Sequence, residues 1–444
     1  MADRGGTQVL RQRIAPAVAL AMSFSAASVV AGVRYEIKDL GTLGGANSGA
    51  ESLNDLGQVV GYSQILSSTS YHAFIADGGG MHDLGTFGGR QSVGRAINRL
   101  GHVVGWAQTA SGERHAFLLK DGTMTDLGSL AGSPVNASAL NDADQVVGSY
   151  SSGAYERAFV WSGGVMQDIG TLGGTDSRAY AVNNHGDVVG FARPLDGIEI
   201  HACLWRGGIV TDLGTLGGWA SHAYDINDNG KIVGWTMEDP NIVSHAFEWA
   251  DDIMYDLGTL GGLYSAAFAI SSGGDAVGVS TDPADRQHAT LWRGGRIEML
   301  DTLIAQGSGW SLVMASDIND HGEIAGYGTY AGDTHAFLLT PLPVLEVPRG
   351  GGTALEFAGA SPNPGSGSTT LHFTLATPAS VRLTLYDVRG REVRTLADRT
   401  FGAGAAALDW DGRAGDGSRA GPGIYWARLE VDGRRFARRF TLLR

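Results

Sequence analysis

Six histidines stand in one register of this sequence: His72, His115, His201, His245, His288 and His335, with Arg157 in the seventh place. A catalytic imidazole is needed once, whereas a group repeated in every unit of a fold serves the fold. The recurrence predicts a structural role, with each ring bonding backbone or a turn acid between strands. A metal centre would need several imidazoles within about 2.1 Å of one ion. Equivalent slots in separate repeats do not supply that. Asp225-Ile226-Asn227-Asp228-Asn229-Gly230 partly matches a calcium loop, and Asp317–Gly322 matches less well. Thr236 stands where the bidentate glutamate belongs. Ala181–Gly186 lacks the leading acid but keeps the turn, so a tight Asn/Asp/Gly turn explains all three. Cys203 occupies the slot of Phe74, Phe117, Phe159, Phe247 and Phe337, which predicts a buried apolar substitute; as the sole cysteine it excludes an intramolecular disulfide. No Gly-x-Ser-x-Gly elbow, His-Glu-x-x-His pair or phosphate loop occurs. No catalytic residue, cofactor or metal site is assigned, and acids meeting across a ring are the one catalytic arrangement left open.

The elements that carry these residues follow from the repeat. Asp-Leu-Gly-Thr-Leu-Gly-Gly begins at Asp39 and returns, sometimes altered, at Asp83, Asp126, Asp168, Asp212 and Asp256, with a degraded copy at Met299. Each unit of about 43 residues also holds an Ile-Asn-Asp-Asn-Gly piece, a Val-Val-Gly piece and a His-Ala-Phe piece. Each piece is a short apolar or alternating run bounded by Gly, Asn or Asp, which is strand-and-turn chemistry. Four such strands per unit is the signature of a propeller blade. The expected fold is all-β: a seven-bladed β-propeller followed by a small Ig-like β-sandwich. Seven strand triplets run from Leu53–Ile75 to Asp317–Leu339, while the fourth-strand copies start earlier, at Tyr35–Leu43. The simplest closure makes Tyr35–Leu43 the outer strand of the last blade, removing an open edge.

With the strands lettered A (Ile-Asn), B (Val-Val-Gly), C (His-Ala-Phe) and D (Asp-Leu-Gly), the A–B and C–D turns are short and repetitive. The B–C loops vary, as in Ser63–Tyr71 against Thr236–Ser244. In an up-and-down blade the B–C and D–A connections share one face, and variable loops on a rigid scaffold are where recognition sits. Trp219, Tyr264 and Trp310 follow the D–A connector on that face. They are the candidate binding residues, able to stack on sugar rings, against the alternative of packing between blades.

The unit, with His-Ala-Phe at His72, His115, His245 and His335, resembles the HAF repeat of bacterial extracellular proteins over about residues 35–341. It departs at Arg157, Cys203, Thr290 and Met299-Leu300-Asp301. The resemblance implies export and a repeat fold and carries no catalytic residues.

Further along, residues 342–360 read as a linker containing Gly350-Gly351-Gly352, and residues 361–444 as an Ig-like module. Its Pro362-Asn363-Pro364, Asp387-Val388-Arg389-Gly390-Arg391 and Pro422-Gly423-Ile424-Tyr425 elements resemble type IX secretion sorting modules and the flagellar hook-cap Ig-like domain. That resemblance implies sorting through the secretion machinery or passive surface display.

The formal charge is −14, unevenly spread: the tail from Ser361 has 13 arginines against 8 acids, and residues 32–360 carry −21. An acidic body repels phosphate backbones, so nucleic acid is excluded as a partner. Arg4, Arg11 and Arg13 before an apolar run from Ile14 to Phe24, then small residues, predict a cleaved signal peptide over residues 1–31. The domains expected are therefore 1–31 signal peptide, 32–341 propeller, 342–360 linker and 361–444 sorting or display module. The expected function is that of an exported, monomeric, non-enzymatic propeller that binds a glycan, a protein or a surface component. A propeller hydrolase or lyase acting on polysaccharide is the alternative, and a purely structural surface protein is the third reading.

Overall fold

A computed structural model describes residues 35–342 apart from 67, 196, 198 and 239–242, and residues 356–443 apart from 362–364, 367, 376, 388–390 and 432–433. The expected leader and residues 343–355 of the expected linker lie outside the described residues, while residues 356–360, read from sequence as linker, belong to the strand Glu356–Ser361 because they pair with Thr369–Leu375. The chain divides into two compact units, Met1–Pro343 and Val344–Arg444.

The first unit is a ring of seven antiparallel sheets. Blade 1 comprises Gly44–Leu53, Val59–Ile65, Tyr71–Asp77 and Gly80–Gly85, in that order from the axis outward. Blades 2 to 6 repeat the order, their long innermost strands being Gly88–Ile97, Ser133–Leu140, Gly173–Val182, Ser221–Ile226 and Ser265–Ile270, with the two-residue strand Ser129–Leu130 added beside that of blade 3. Blade 7 runs Trp310–Ile318, Ile324–Tyr330 and Asp333–Pro341, and its outer strand is Tyr35–Gly41. Tyr35 pairs with Pro341 and Ile37 with Leu339, so the first described strand closes the last blade, as the repeat phase predicts. Each innermost strand packs on the next, and that of blade 7 on that of blade 1.

The repeated residues account for the blade. Phe74, Phe117, Phe159, Phe247 and Phe337 are fully buried between blades, and Cys203 is buried in the same slot. Burial pushes the Cys203 thiol well above its ordinary value, so it behaves as an apolar filler. At the end of six of the seven innermost strands a buried asparagine makes the A–B turn: the Asn54 side-chain oxygen accepts from Leu56 N and Gln58 N. Its amide then reaches the neighbouring blade. Asn54, Asn98, Asn141, Asn183 and Asn227 each donate from Nδ2 to the main-chain oxygen of the next repeat's equivalent residue, at 2.9–3.3 Å. Asn319 donates to Asn54 O across the closure. Ser271 holds the remaining place and has no amide to continue the belt.

A serine clasp works near the other end. Ser48, Ser92, Ser221 and Ser265 donate to the carbonyl of the Asp-Leu-Gly glycine and accept a main-chain N–H from strand C of the preceding blade. These bonds satisfy polar groups that blade packing removes from water.

The second unit is a two-sheet sandwich. Glu356–Ser361, Thr369–Leu375 and Gly404–Trp410 form one sheet. Ala379–Asp387, Glu392–Phe401, Gly423–Val431 and Arg434–Leu443, with the short Gly365–Ser366, form the other. Phe357, Leu371, Phe373, Leu383, Leu385, Trp410, Tyr425 and Phe440 fill the space between them. The buried polar ends of two of these are satisfied locally: Trp410 Nε1 donates to Arg413 O and the Tyr425 hydroxyl to Gly421 O.

Candidate functional site

The recurrent histidines face the recurrent aspartates. His72 Nδ1 lies 2.8 Å from Asp83, His115 Nδ1 2.6 Å from Asp126, and His201 Nδ1 2.8 Å from Asp212. His245 with Asp256 and His335 with Asp39 repeat the contact at 3.0 Å. The same carboxylates accept the N–H of the glycine two residues on, as Gly85 N to Asp83 at 2.7 Å, and that glycine has positive φ. One aspartate therefore ties strand C to strand D and fixes the turn beyond. Arg157 is not the exception that its sequence suggests, because its fork bonds Asp168 at 2.9 and 3.0 Å. Burial raises the Asp168 carboxyl, yet bonds from Arg157, Tyr150 and Gly170 outweigh it and hold that group below the usual range. His288 departs instead. Its Nε2 meets Asp282 at 3.3 Å, and Asp301 is 3.9 Å from Nδ1. Among the described residues no group of three or more His, Cys, Asp or Glu side chains could hold a metal.

A different set of side chains meets at the axis. Every innermost strand carries a β-bulge at the same place, three residues before the belt position. Its extra residue is Glu51, Arg95, Ser138, Tyr180, Tyr224, Phe268 or Ser316 from blade 1 to blade 7. A bulge re-aims a side chain, and six of these seven line a cavity of about 430 Å³ at the channel. The repeat's Val-Val-Gly glycine makes the kink possible. A Cβ on Gly61, Gly190 or Gly234 would overlap the carbonyl oxygen of Gly49, Arg178 or His222 on the inner strand.

The wall of this cavity has two characters. On blades 4 to 6 it is aromatic: Tyr180 and Tyr224 stand edge to face at 5.0 Å and Tyr224 and Phe268 lie tilted at 5.4 Å; outside the lining, His222 packs on Tyr180 and stacks on Trp235 at 4.8 Å. Burial, and then the charge of Arg178, lowers His222 to about 4, so this ring is neutral near pH 7. On blades 1 and 2 the wall is charged. Arg95 pairs with Glu51 at 2.8 Å, and burial raises the Glu51 carboxyl in spite of that cation. The guanidinium of Arg114 lies over the Trp106 ring at 4.2 Å. An adjoining recess of about 210 Å³ adds Tyr62, Tyr71 and Gln91. Tyr71 and Arg114 are the first residues of their strands after the B–C loops, which puts this opening on the B–C and D–A face.

Nearer the A–B end, Asp225 and Asp317 are half-buried. Burial pushes Asp225 up to about 6, while burial and the charge of Asp225 push Asp317 up to about 7. Each holds the next blade: Ile270 N donates to Asp225 and Leu53 N to Asp317, both at 2.8 Å. Ser52, Ala96, Ala139, Ala181 and Ala269 stand in the equivalent places.

The three aromatic candidates behave differently from one another. Trp219 is 57% exposed on the D–A connector. Tyr264 is half-buried, its backbone bridged to Ser244. Trp310 stacks on Tyr330 at 4.8 Å and meets Phe337 edge to face, which is packing. None of them lines the channel cavity. The channel residues escape a reading based on recurrence because they differ from repeat to repeat. Their signal is that variation itself, at a fixed offset before the repeated asparagine, beside a glycine that reports close backbone approach.

Residues 360–433 match the FlgD Ig-like domain family. No curated protein matches the chain. Among solved structures it is similar to PorZ, an essential bacterial surface component of the type-IX secretion system of Porphyromonas gingivalis. Identity there is 13% over 89% of this chain and 59% of that one, with a TM-score of 0.38. It is also similar to TolB from Acinetobacter baumannii, at 13% identity over 65% of this chain and 64% of that one, with a TM-score of 0.41. A Pyrococcus horikoshii acylaminoacyl peptidase is 12% identical over 76% of this chain and 59% of that one, with a TM-score of 0.45. The chain thus spans less than two thirds of the length of each of these structures. The chain is a seven-bladed β-propeller followed by an Ig-like domain that is similar to the FlgD family over residues 360–433.

Proposed function

We propose that this chain is an exported, HAF-type, non-enzymatic propeller that binds a glycan, protein or surface component at its B–C and D–A face. Its Ig-like module would serve sorting or display. One observation carries the reading: the bulged inner strands gather side chains of varied type around one cavity, on a scaffold whose other positions repeat. A cavity of this volume falls within the range of roughly 300–1,000 Å³ usual for ligand sites. Trp219, exposed on the same face, would extend contact outward, with Tyr264 and Trp310 contributing only the edges that packing leaves free. The test is a glycan array probed with the full chain, run beside a polysaccharide degradation assay. Binding without degradation is expected. Degradation that disappears in Asp317→Asn would instead support the hydrolase or lyase reading. That reading draws on the raised carboxyls of Asp225 and Asp317, though both are engaged in holding neighbouring blades. Intact mass of protein from the native host separates the roles of the module: loss of residues near the linker supports sorting, and retention of Arg444 supports display.

A further inference from the structure

The channel mouth carries the opposite charge to the molecule around it. The chain's net charge is −14, yet the ionisable residues lining the cavity are Arg95, Arg114 and Arg178 against Glu51 alone. Glu51 is already taken by Arg95. Arg114 has no carboxylate within salt-bridge distance among the described residues, and its plane lies on Trp106. Arg178 reaches Glu156 only at 3.6 Å, and its buried Nε has no hydrogen-bond partner among the described residues. A buried guanidinium N–H without an acceptor is costly and is rarely left so without a reason. Arginine presents a planar fork that fits a carboxylate through two parallel bonds.

The rest of the wall narrows the ligand. Tyr180, Tyr224 and Phe268 offer ring faces and edges, while Asn136 and Ser138 on blade 3 offer neutral donors and acceptors. Ring faces beside scattered neutral polar groups suit a flat, hydroxyl-rich ring. An extended acidic peptide would bind by adding a strand to a free sheet edge. Each inner edge is broken by its bulge, which blunts that mode. We infer that the channel mouth is a site for a carboxylate-bearing sugar residue of an acidic glycan, with Arg114 and Arg178 taking the carboxylate and the aromatic arc taking the ring. This rests on the reading of that face as the binding face.

Charge-matched probes test it on the full chain: tetragalacturonate against its methyl ester, and sialyllactose against lactose, by calorimetry at two salt concentrations. At least one acidic probe should bind, its neutral partner should bind about tenfold or more weakly, and added salt should weaken the complex. Arg178→Ala and Arg114→Ala should each cost about tenfold or more, and Arg178→Lys less, with unchanged melting temperature. Equal binding of neutral and acidic partners, or undiminished affinity in both alanine variants, would overturn the inference while leaving the face as a binding surface. Tetraglutamate or inorganic phosphate binding as tightly as the acidic sugars would also overturn it, in favour of a general anion site. If no acidic probe binds but lactose does, and Trp219→Ala removes that binding, the inference fails and the outer-loop reading stands. If no probe binds, both fail.

Discussion

Three residues separate the end of each innermost strand from its bulge, and the two positions have opposite histories within one chain. At the strand end, six of seven blades keep asparagine, buried and bonded to the next blade. At the bulge no residue type recurs more than twice: Glu51, Arg95, Ser138, Tyr180, Tyr224, Phe268 and Ser316. The two positions also differ in exposure: the asparagines are buried, whereas every bulge residue is at least partly exposed. The belt position has one task that only an amide performs, whereas the bulge position has no structural task beyond permitting the kink. Repetition marks where the ring is held together, and divergence marks where it is free to meet something else.

The strongest way to break this comparison is to open the ring. Deleting residues 32–45 removes the strand Tyr35–Gly41, the Tyr35 and Ile37 packing in blade 7, and the partner of His335. The propeller should lose its cooperative thermal transition while the Ig-like unit keeps its own. A single unchanged transition would show that the closure is dispensable. Next in size is the pH dependence of Asp317. The folded state raises its carboxyl to about 7, so between about pH 4 and pH 7 the folded chain holds a proton that the unfolded chain has released. Its contribution is therefore favourable below that window and is lost as pH rises through it. Asp317→Asn should remove about 2–4 kcal/mol of that loss, measured by urea unfolding at pH 5 and pH 8. Parallel wild-type and variant pH profiles would contradict the burial argument.

Asn141→Ala should destabilise by about 2–3 kcal/mol, since two turn N–H groups and the carbonyl of Asn183 lose a partner together. Ser138→Ala, three residues earlier, should change stability by less than about 0.5 kcal/mol. Equal effects would erase the distinction between the two positions. His115→Ala falls between these two. The His115–Asp126 pair is partly solvated, its side chains 29% and 40% exposed, so the loss should be about 0.5–1 kcal/mol, with ligand binding intact.

Much of the fold was legible because its determinants recur. The phase of Asp-Leu-Gly against His-Ala-Phe was enough to predict the closing strand at Tyr35, and the His-Asp ties follow from two residues that return together. Arg157 reads in sequence as a departure from the repeat, because the bond of its fork to Asp168 of the Asp-Leu-Gly-type strand is visible only in three dimensions. The channel was not legible by the same means, since seven bulge positions filled by five residue types leave no pattern. Aromatic character alone selected Trp219, Tyr264 and Trp310, and only Trp219 is strongly exposed. Trp310 carried the same signal and turned out to stack on Tyr330, because side-chain type does not reveal which neighbour is already there.

The most direct test of the account is hydrogen–deuterium exchange of the full chain with and without the tightest glycan found on the array. Bound ligand should slow exchange in the bulge segments 49–51, 93–95, 136–138, 178–180 and 222–224, leaving the asparagine belt and the Ig-like unit unchanged. Protection confined to the outer loops around Trp219, Tyr264 and Trp310, or to the Ig-like unit, would contradict it.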